Sequence, residues 1–131
     1  MTHKHQVDYR VYYEDTDAGG IVYHANYLRF AERARTEWLR DLGFNQSDLR
    51  KQNVLFVVRH ITVDYKKPAM LDDVLNVVTT LDKIAGSSMV LTQNVMKNDE
   101  VAAHLSVAIV CINLEWKPVR IPDSIRKKLD K

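Results

Sequence analysis

Hydrophobic and polar positions alternate over residues 7–11, where Val7, Tyr9 and Val11 are separated by Asp8 and Arg10. A period of two predicts a short strand. From Tyr13 to Val22 the alternation gives way to polar residues and glycine, the composition of a loop. The period then changes. Tyr27, Phe30, Ala31, Ala34, Trp38 and Leu42 recur at helical spacing, while Arg29, Glu32, Arg33, Glu37 and Arg40 take the rest of the circumference. This predicts an amphipathic helix of about four to five turns, with Arg33 and Glu37 as an i,i+4 ion pair. Gly43 reads as its stop. Asn45 or Ser47 is suited to cap a short second helix that ends near Gln52.

Strands follow. Val54 to Lys67 is rich in Val, Ile, Phe and Tyr, with Val57, Ile61, Val63 and Tyr65 on one parity. Val74 to Ile84 and Met89 to Met96 predict two more strands, and Asn98-Asp99 predicts a hairpin turn. Glu100 to Leu114 starts by alternating and becomes apolar on both faces from Val107, which suggests a central strand covered on both sides. Asp123 or Ser124 is placed to cap a final helical turn that turns Ile125 and Leu129 inward. Strand, long helix, short helix and then four long strands make an α+β protein rather than an alternating βαβ one. One helix can cover one sheet face, so an apolar second face on the last strand argues for association with another copy.

The chain has 131 residues, 46% hydrophobic and 27% charged, which fits one domain spanning 1–131 with a core of its own. Nineteen basic residues against seventeen acidic ones leave +2, too balanced for a protein that coats nucleic acid. A single cysteine, Cys111, excludes an internal disulfide and a thiolate metal cluster, and points to a reducing, cytoplasmic setting. Met1 to Arg10 lacks the apolar stretch of a secretory signal. The longest purely apolar run, Val107 to Ile112, is six residues, so no membrane span is expected.

The densest group of chemically able residues runs from Tyr12 to Tyr27, just ahead of the long helix. It holds Glu14, Asp15, Asp17, the Gly19-Gly20 pair and His24. A helix N-terminus presents unpaired N–H groups and partial positive charge, which can stabilise charge developing on a carbonyl oxygen. Glycine lets backbone approach a ligand closely, and a carboxylate at that junction can act as base or nucleophile. Three interpretations compete: turn and capping residues, a calcium loop, or an acyl-transfer site. Asp15, Asp17 and Gly20 match positions one, three and six of a calcium loop. Gly19 and Asn26 then fall where two further ligands belong, and no helix precedes.

Residues 13–27, Tyr-Glu-Asp-Thr-Asp-Ala-Gly-Gly-Ile-Val-Tyr-His-Ala-Asn-Tyr, resemble the signature of the 4-hydroxybenzoyl-CoA thioesterase family of hotdog-fold proteins. The likeness is strongest to its Tol-Pal-associated, YbgC-type branch of acyl-CoA thioesterases. Glu32-Arg33-Ala34-Arg35-Thr36-Glu37, Phe56-Val57-Val58-Arg59, Pro68-Ala69 and Leu71-Asp72-Asp73 add landmarks in the same order, and the resemblance covers about Val7 to Pro122. It implies a hotdog fold, with a long central helix wrapped by a five- to six-stranded antiparallel sheet. It also implies a homodimer or a dimer-of-dimers tetramer, with the active site at the dimer interface beside the helix N-terminus.

The implied substrate is acyl-CoA, with acyl carrier protein as an alternative carrier, and no metal or redox cofactor, CoA being part of the substrate. The family's catalytic carboxylate maps to Asp17, which would attack the thioester carbonyl or activate a water. His24 would help orient Asp17 or water. The backbone N–H of Tyr23 or His24 would hold the carbonyl oxygen, Gly20 would shape the approach, and Tyr13 would line the pocket. Arg59, Lys66, Lys67 and Lys83 are cations suited to the phosphates of CoA, or else a solvated face. A different class of function is an acyl-binding scaffold for acyl carrier protein or enzymes of lipid synthesis, and a carrier-dependent dehydratase ranks below both. Outside this segment, His3 and His5 lie near the start, His60 and His104 within strands, and Gly86-Ser87-Ser88 at a turn.

Overall fold

The computed structural model describes residues 4–129. Strand β1 (Lys4–Arg10) is followed by a 3-10 turn (Tyr13–Asp15), helix α1 (Asn26–Asp41) and helix α2 (Gln46–Lys51). Strands β2 (Leu55–Tyr65), β3 (Val74–Ile84), β4 (Ser88–Lys97) and β5 (Glu100–Ile112) and helix α3 (Asp123–Leu129) complete the order. The five strands form one antiparallel sheet in the order β1-β3-β4-β5-β2. The architecture is the α+β arrangement expected, with five strands.

Helix α1 lies on one face of the sheet. Its buried stripe is Tyr27, Phe30, Ala31, Ala34, Trp38 and Leu39. It meets Leu75 and Val77 of β3, Leu91 and Val95 of β4, and Leu105 and Val107 of β5 in one core. Inside that apolar layer Gln93 is fully buried. Its amide donates to the carbonyl of Ala31 (3.0 Å) and to Thr79 (2.9 Å), and its oxygen accepts from Arg35 (2.8 Å). A buried amide with these bonds avoids the cost of an unmet polar group and ties the helix to the sheet at one register. Burial also lowers the pKa of Arg35 from its ordinary value, Glu32 opposing the shift.

The ends of the elements follow local chemistry. Asn45 caps α2, its side-chain oxygen accepting from the Asp48 N–H at 2.9 Å. Gly43 adopts φ +98, and the Phe44 N–H reaches back to the Leu39 carbonyl at 2.9 Å, closing α1 with a left-handed residue. Helix α3 begins at Asp123, and the Pro122 carbonyl accepts its first bonds from the Ile125 and Arg126 N–H groups, so Pro122 rather than Asp123 or Ser124 stands at the cap position. Ile125 and Leu129 point inward as expected.

Three sequence expectations change. Arg33 and Glu37 do not pair. Glu37 instead accepts from Arg40 at 3.2 Å, while the Arg33 guanidinium stands 5.9 Å from the Phe30 ring centroid. Val57 does not share a face with Ile61, Val63 and Tyr65. The register of β2 on β5 shifts between Val58 and His60, leaving Arg59 as the extra residue of a bulge. Phe56 and Val58 therefore face the helix side at one end, Ile61, Val63 and Tyr65 at the other, and Val57 points outward beside Val110. Nor is β5 covered on both sides within the chain. Leu105, Val107, Ile109 and Cys111 are buried, but His104, Ser106, Ala108 and Val110 on the outer face are only half-buried.

Gly43 and Gly86 offer a contrast. A Cβ meets nothing within 4 Å at either, but only Gly43 has positive φ. Gly43→Ala should therefore lower unfolding stability by about 1 kcal/mol, while Gly86→Ala leaves it nearly unchanged or slightly raised. Urea denaturation of both variants checks this, and equal losses would refute it.

Candidate active site

The segment between β1 and α1 is a tight, docked loop. Thr16 and Val22 pair antiparallel, the Asp17 N–H donates to the Ile21 carbonyl at 2.9 Å, and the Gly20 N–H returns to the Asp17 carbonyl at 3.0 Å. Gly20 adopts φ +82, a conformation that favours glycine. The Asp17 side chain is exposed, and Oδ1 accepts from the Gly19 N–H at 2.8 Å. This Asx turn fixes one carboxylate oxygen and leaves the other directed away from that bond. A Cβ on Gly19 would stand 3.2 Å from the same oxygen, so the close approach depends on glycine.

Asp15, two residues earlier, is buried. Its carboxylate accepts from the Asn26 amide at 2.9 Å and from the Tyr12 N–H at 2.9 Å. Its carbonyl accepts from the Tyr23 N–H at 2.9 Å. Asp15 thus joins the start of the loop to the first residue of α1, and structure rather than chemistry is its part. The loop is also tied to residues 69–70, through Val22 N–H to the Ala69 carbonyl at 2.8 Å and an Ile21–Met70 bridge. Tyr27 supports the same strand, its hydroxyl accepting from the Ala69 N–H at 3.1 Å. Burial raises the Tyr27 pKa, so its hydroxyl stays protonated at neutral pH.

His24 sits at the exposed entrance to α1. Its ring lies 4.5 Å from that of Tyr23 and 6.2 Å, edge-on, from that of Tyr65. The Tyr65 hydroxyl donates to the His24 carbonyl at 2.9 Å. The Tyr23 N–H is already spent on Asp15, whereas the His24 and Ala25 N–H groups have no hydrogen-bond partner among the described residues. Of the two amides expected to hold a carbonyl oxygen, the structure leaves His24 available and occupies Tyr23. A cavity of about 260 Å³ opens here between Ile21, His24, Tyr27, Tyr65, Lys67 and Pro68. Among the described residues no group of three His, Cys, Asp or Glu side chains is arranged to hold a metal ion.

With this geometry in place, the chain can be set beside known proteins. A family model described as the thioesterase-like superfamily matches residues 11–129. The chain belongs to the thioesterase-like superfamily. It is 48% identical over 118 residues to the acyl-CoA thioester hydrolase YbgC of Escherichia coli, covering 88% of each protein. It is 45% identical over 119 residues to the acyl-CoA thioesterase YbgC of Haemophilus influenzae, covering 89% of this chain and 88% of that one. The fold superposes on the crystal structure of a "Probable Thioesterase" from Bartonella henselae with a TM-score of 0.87 at 38% identity, covering 92% of this chain and all of that one.

Within this thioesterase-type fold, Asp17, Gly20, Tyr23 and His24 share one loop and one helix entrance. Tyr13 is 82% exposed, so it forms no wall of this chain's cavity. Arg59 lies six residues from Tyr65, about 20 Å along β2, and does not reach the loop of its own chain. His60 and His104 fall on the outer sheet face, His104 bonded to Asn94 at 2.6 Å. His5 pairs with Asp41 at 2.7 Å, and His3 lies outside the described residues. Gly86-Ser87-Ser88 is a turn whose carbonyls accept from Ile121 and Cys111. Asn26 and Tyr65 are supporting residues that sequence reasoning missed. No local pattern links a tyrosine ending a strand to a histidine 41 positions earlier.

Two outcomes follow. Asp15→Ala strands the Asn26 amide and the Tyr12 N–H, and should cost about 2 kcal/mol of stability by urea denaturation; a loss within about 0.5 kcal/mol would refute a stabilising clamp at Asp15. For Asp73, burial pushes its carboxyl up, but bonds from the Met70 N–H and from Lys97 (3.0 Å) outweigh it and hold the pKa below its usual 3.8. That stabilisation is present above the ordinary value and is lost as pH falls through the depressed one. Denaturation midpoints at about pH 5 and about pH 3 should therefore differ less in Asp73→Asn than in the wild type.

Proposed function

We propose that the protein hydrolyses the thioester of a small or short-chain acyl-CoA, with Asp17 as the base or nucleophile. The observation that carries this is one docked loop that holds both the fixed carboxylate of Asp17 and, seven residues on at the start of α1, the open backbone N–H of His24, in a chain of the thioesterase-like superfamily. Two close relatives bear the name of acyl-CoA thioesterases.

In this scheme the thioester carbonyl oxygen accepts from the His24 N–H, at the positive end of the helix dipole. The Asp17 oxygen that is not bonded to Gly19 then attacks the carbonyl carbon, or takes a proton from a water that does. The C–S bond breaks, the sulfur takes a proton and leaves as CoA, and water supplies the oxygen of the free acid. The His24 ring, backed by Tyr23 and Tyr65, orients the water or the carboxylate. The reaction calls for no metal or redox cofactor. An acyl carrier protein presents the same pantetheine thioester and is a second candidate donor. A reducing cytoplasm suits this chemistry and the buried Cys111, whose pKa burial raises.

The active unit in this proposal is a homodimer, or a tetramer built from two of them. Strand β2 is an 11-residue edge strand with one side unpaired, and its Val58 and Tyr65 are 44% and 49% exposed. A long edge of this kind is a template for pairing with a second copy. Arg59, too far from its own loop, is carried by that edge toward the other subunit.

Thiol release from a panel of acyl-CoAs tests the assignment. Asp17→Asn should lower kcat/KM by at least ~10²-fold at unchanged thermal stability. Similar values in variant and wild type would end the role of Asp17.

A further inference from the structure

Two cavities lie on the helix side of β2, one at its start beside Phe56 and Val58, the other at its end beside Tyr65 and His24. The second holds a polar group that the scheme above leaves unused. Tyr27 lines it and is only 3% exposed. A phenol hydroxyl donates one hydrogen bond and accepts others. The Tyr27 oxygen accepts from the Ala69 N–H at 3.1 Å, and its proton meets no acceptor among the described residues. A buried donor left unspent costs stability until something in the cavity takes its bond.

The fold aims this hydroxyl at the helix entrance. A helical side chain leans toward the N-terminus of its helix, so Tyr27, on the first turn of α1, reaches back toward the loop. Ala69, which fixes the phenol oxygen, also accepts the Val22 N–H at 2.8 Å, and Val22 stands two residues before His24. Tyr65 packs edge-on against the Tyr27 ring with centroids 5.6 Å apart, while its own hydroxyl is spent on the His24 carbonyl at 2.9 Å. Lys67, on the same cavity wall, is held by Glu100 at 2.6 Å. Tyr27 therefore carries the buried side-chain proton of this cavity that is still free to donate. Burial keeps it on the oxygen at neutral pH.

We propose that Tyr27 is a further catalytic residue, its hydroxyl donating to the thioester carbonyl oxygen alongside the His24 N–H. The proposal rests on the thioesterase function given above and adds a second donor to it, from the same helix turn. Negative charge grows on the carbonyl oxygen as Asp17 or water attacks, and two donors hold it better than one. The phenol keeps its proton throughout. The C–S bond breaks as before, and the oxygen returns to a carbonyl as the sulfur leaves. A neutral donor suits this place, because it strengthens as charge develops and brings no charge of its own to bury.

Thiol release from acyl-CoA should fall about 10²-fold in kcat in Tyr27→Phe, with KM near the wild-type value. That variant also strands the Ala69 N–H, so two further measurements separate donation from support. A ring-fluorinated tyrosine in place of Tyr27 keeps the oxygen that Ala69 binds and makes the proton a stronger donor. Below the pH at which that phenol ionises, kcat should rise about two- to threefold. An unchanged or lower kcat overturns the proposal. The infrared carbonyl stretch of a bound ketone analogue, with methylene in place of the thioester sulfur, reads the bond without turnover. It should lie at lower frequency in the wild type than in Tyr27→Phe, and equal frequencies overturn the proposal. A wild type that hydrolyses no thioester defeats the proposed function instead. The bound analogue then decides Tyr27 by the same frequency difference, and an analogue that fails to bind the wild type overturns both.

Discussion

The packing of α1 on the sheet is the interaction on which the rest depends. Phe30 and Trp38 each bury nearly their whole side chain there, worth about 2–3 kcal/mol apiece. Ala31 and Ala34 are fully buried between them, and their small size lets the helix backbone come close enough for Gln93 to reach the Ala31 carbonyl. That bond converts an apolar contact with many near-equivalent registers into one register. Sliding the helix by a turn would take the Ala31 carbonyl and the Arg35 guanidinium away from the buried Gln93 amide, leaving it with Thr79 alone. The position of the helix N-terminus, and everything that uses it, is set from inside the core.

The loop ahead of α1 inherits this precision through a short chain of bonds. Asn26, the first residue of the helix, holds Asp15, and Asp15 holds Tyr12 and Tyr23. Val22 and Tyr27 fasten the same segment to Ala69, and Tyr65 fastens the His24 carbonyl to the end of β2. Asp17 is the exception, an exposed carboxylate held only by its own Asx turn. A buried aspartate that spends its bonds on structure and an exposed one that keeps an oxygen free stand two residues apart. Hydrogen bonding and burial, not residue type, separate their roles.

The free edge of β2 carries the same logic beyond the single chain. Its bulge at Arg59 divides the strand into two halves whose inward side chains fall on opposite parities, Phe56 and Val58 before it and Ile61, Val63 and Tyr65 after it. Each half walls a different cavity. A regular strand would have turned one half outward and lost one of the two.

The amphipathic period of α1, the strand runs, the Gly43 stop and the Asn45 cap were legible in the residues, because each depends on neighbours a few positions away. So was the Asp17–His24 segment, since carboxylate, glycine pair and helix start are contiguous. The bulge at Arg59 was not, for a bulge exists only relative to the partner strand. Nor was the diversion of Arg33 to the Phe30 ring, three residues before it, in competition with Glu37 four residues after it. The division of labour between Asp15 and Asp17 also lay beyond the sequence, because it is decided by what reaches them: Asn26 eleven residues on for one, a Gly19 N–H for the other. Periodicity and contiguity are local and can be read along the chain. Burial, register and the satisfaction of polar groups are set by distant segments brought together, and only the folded structure decides them.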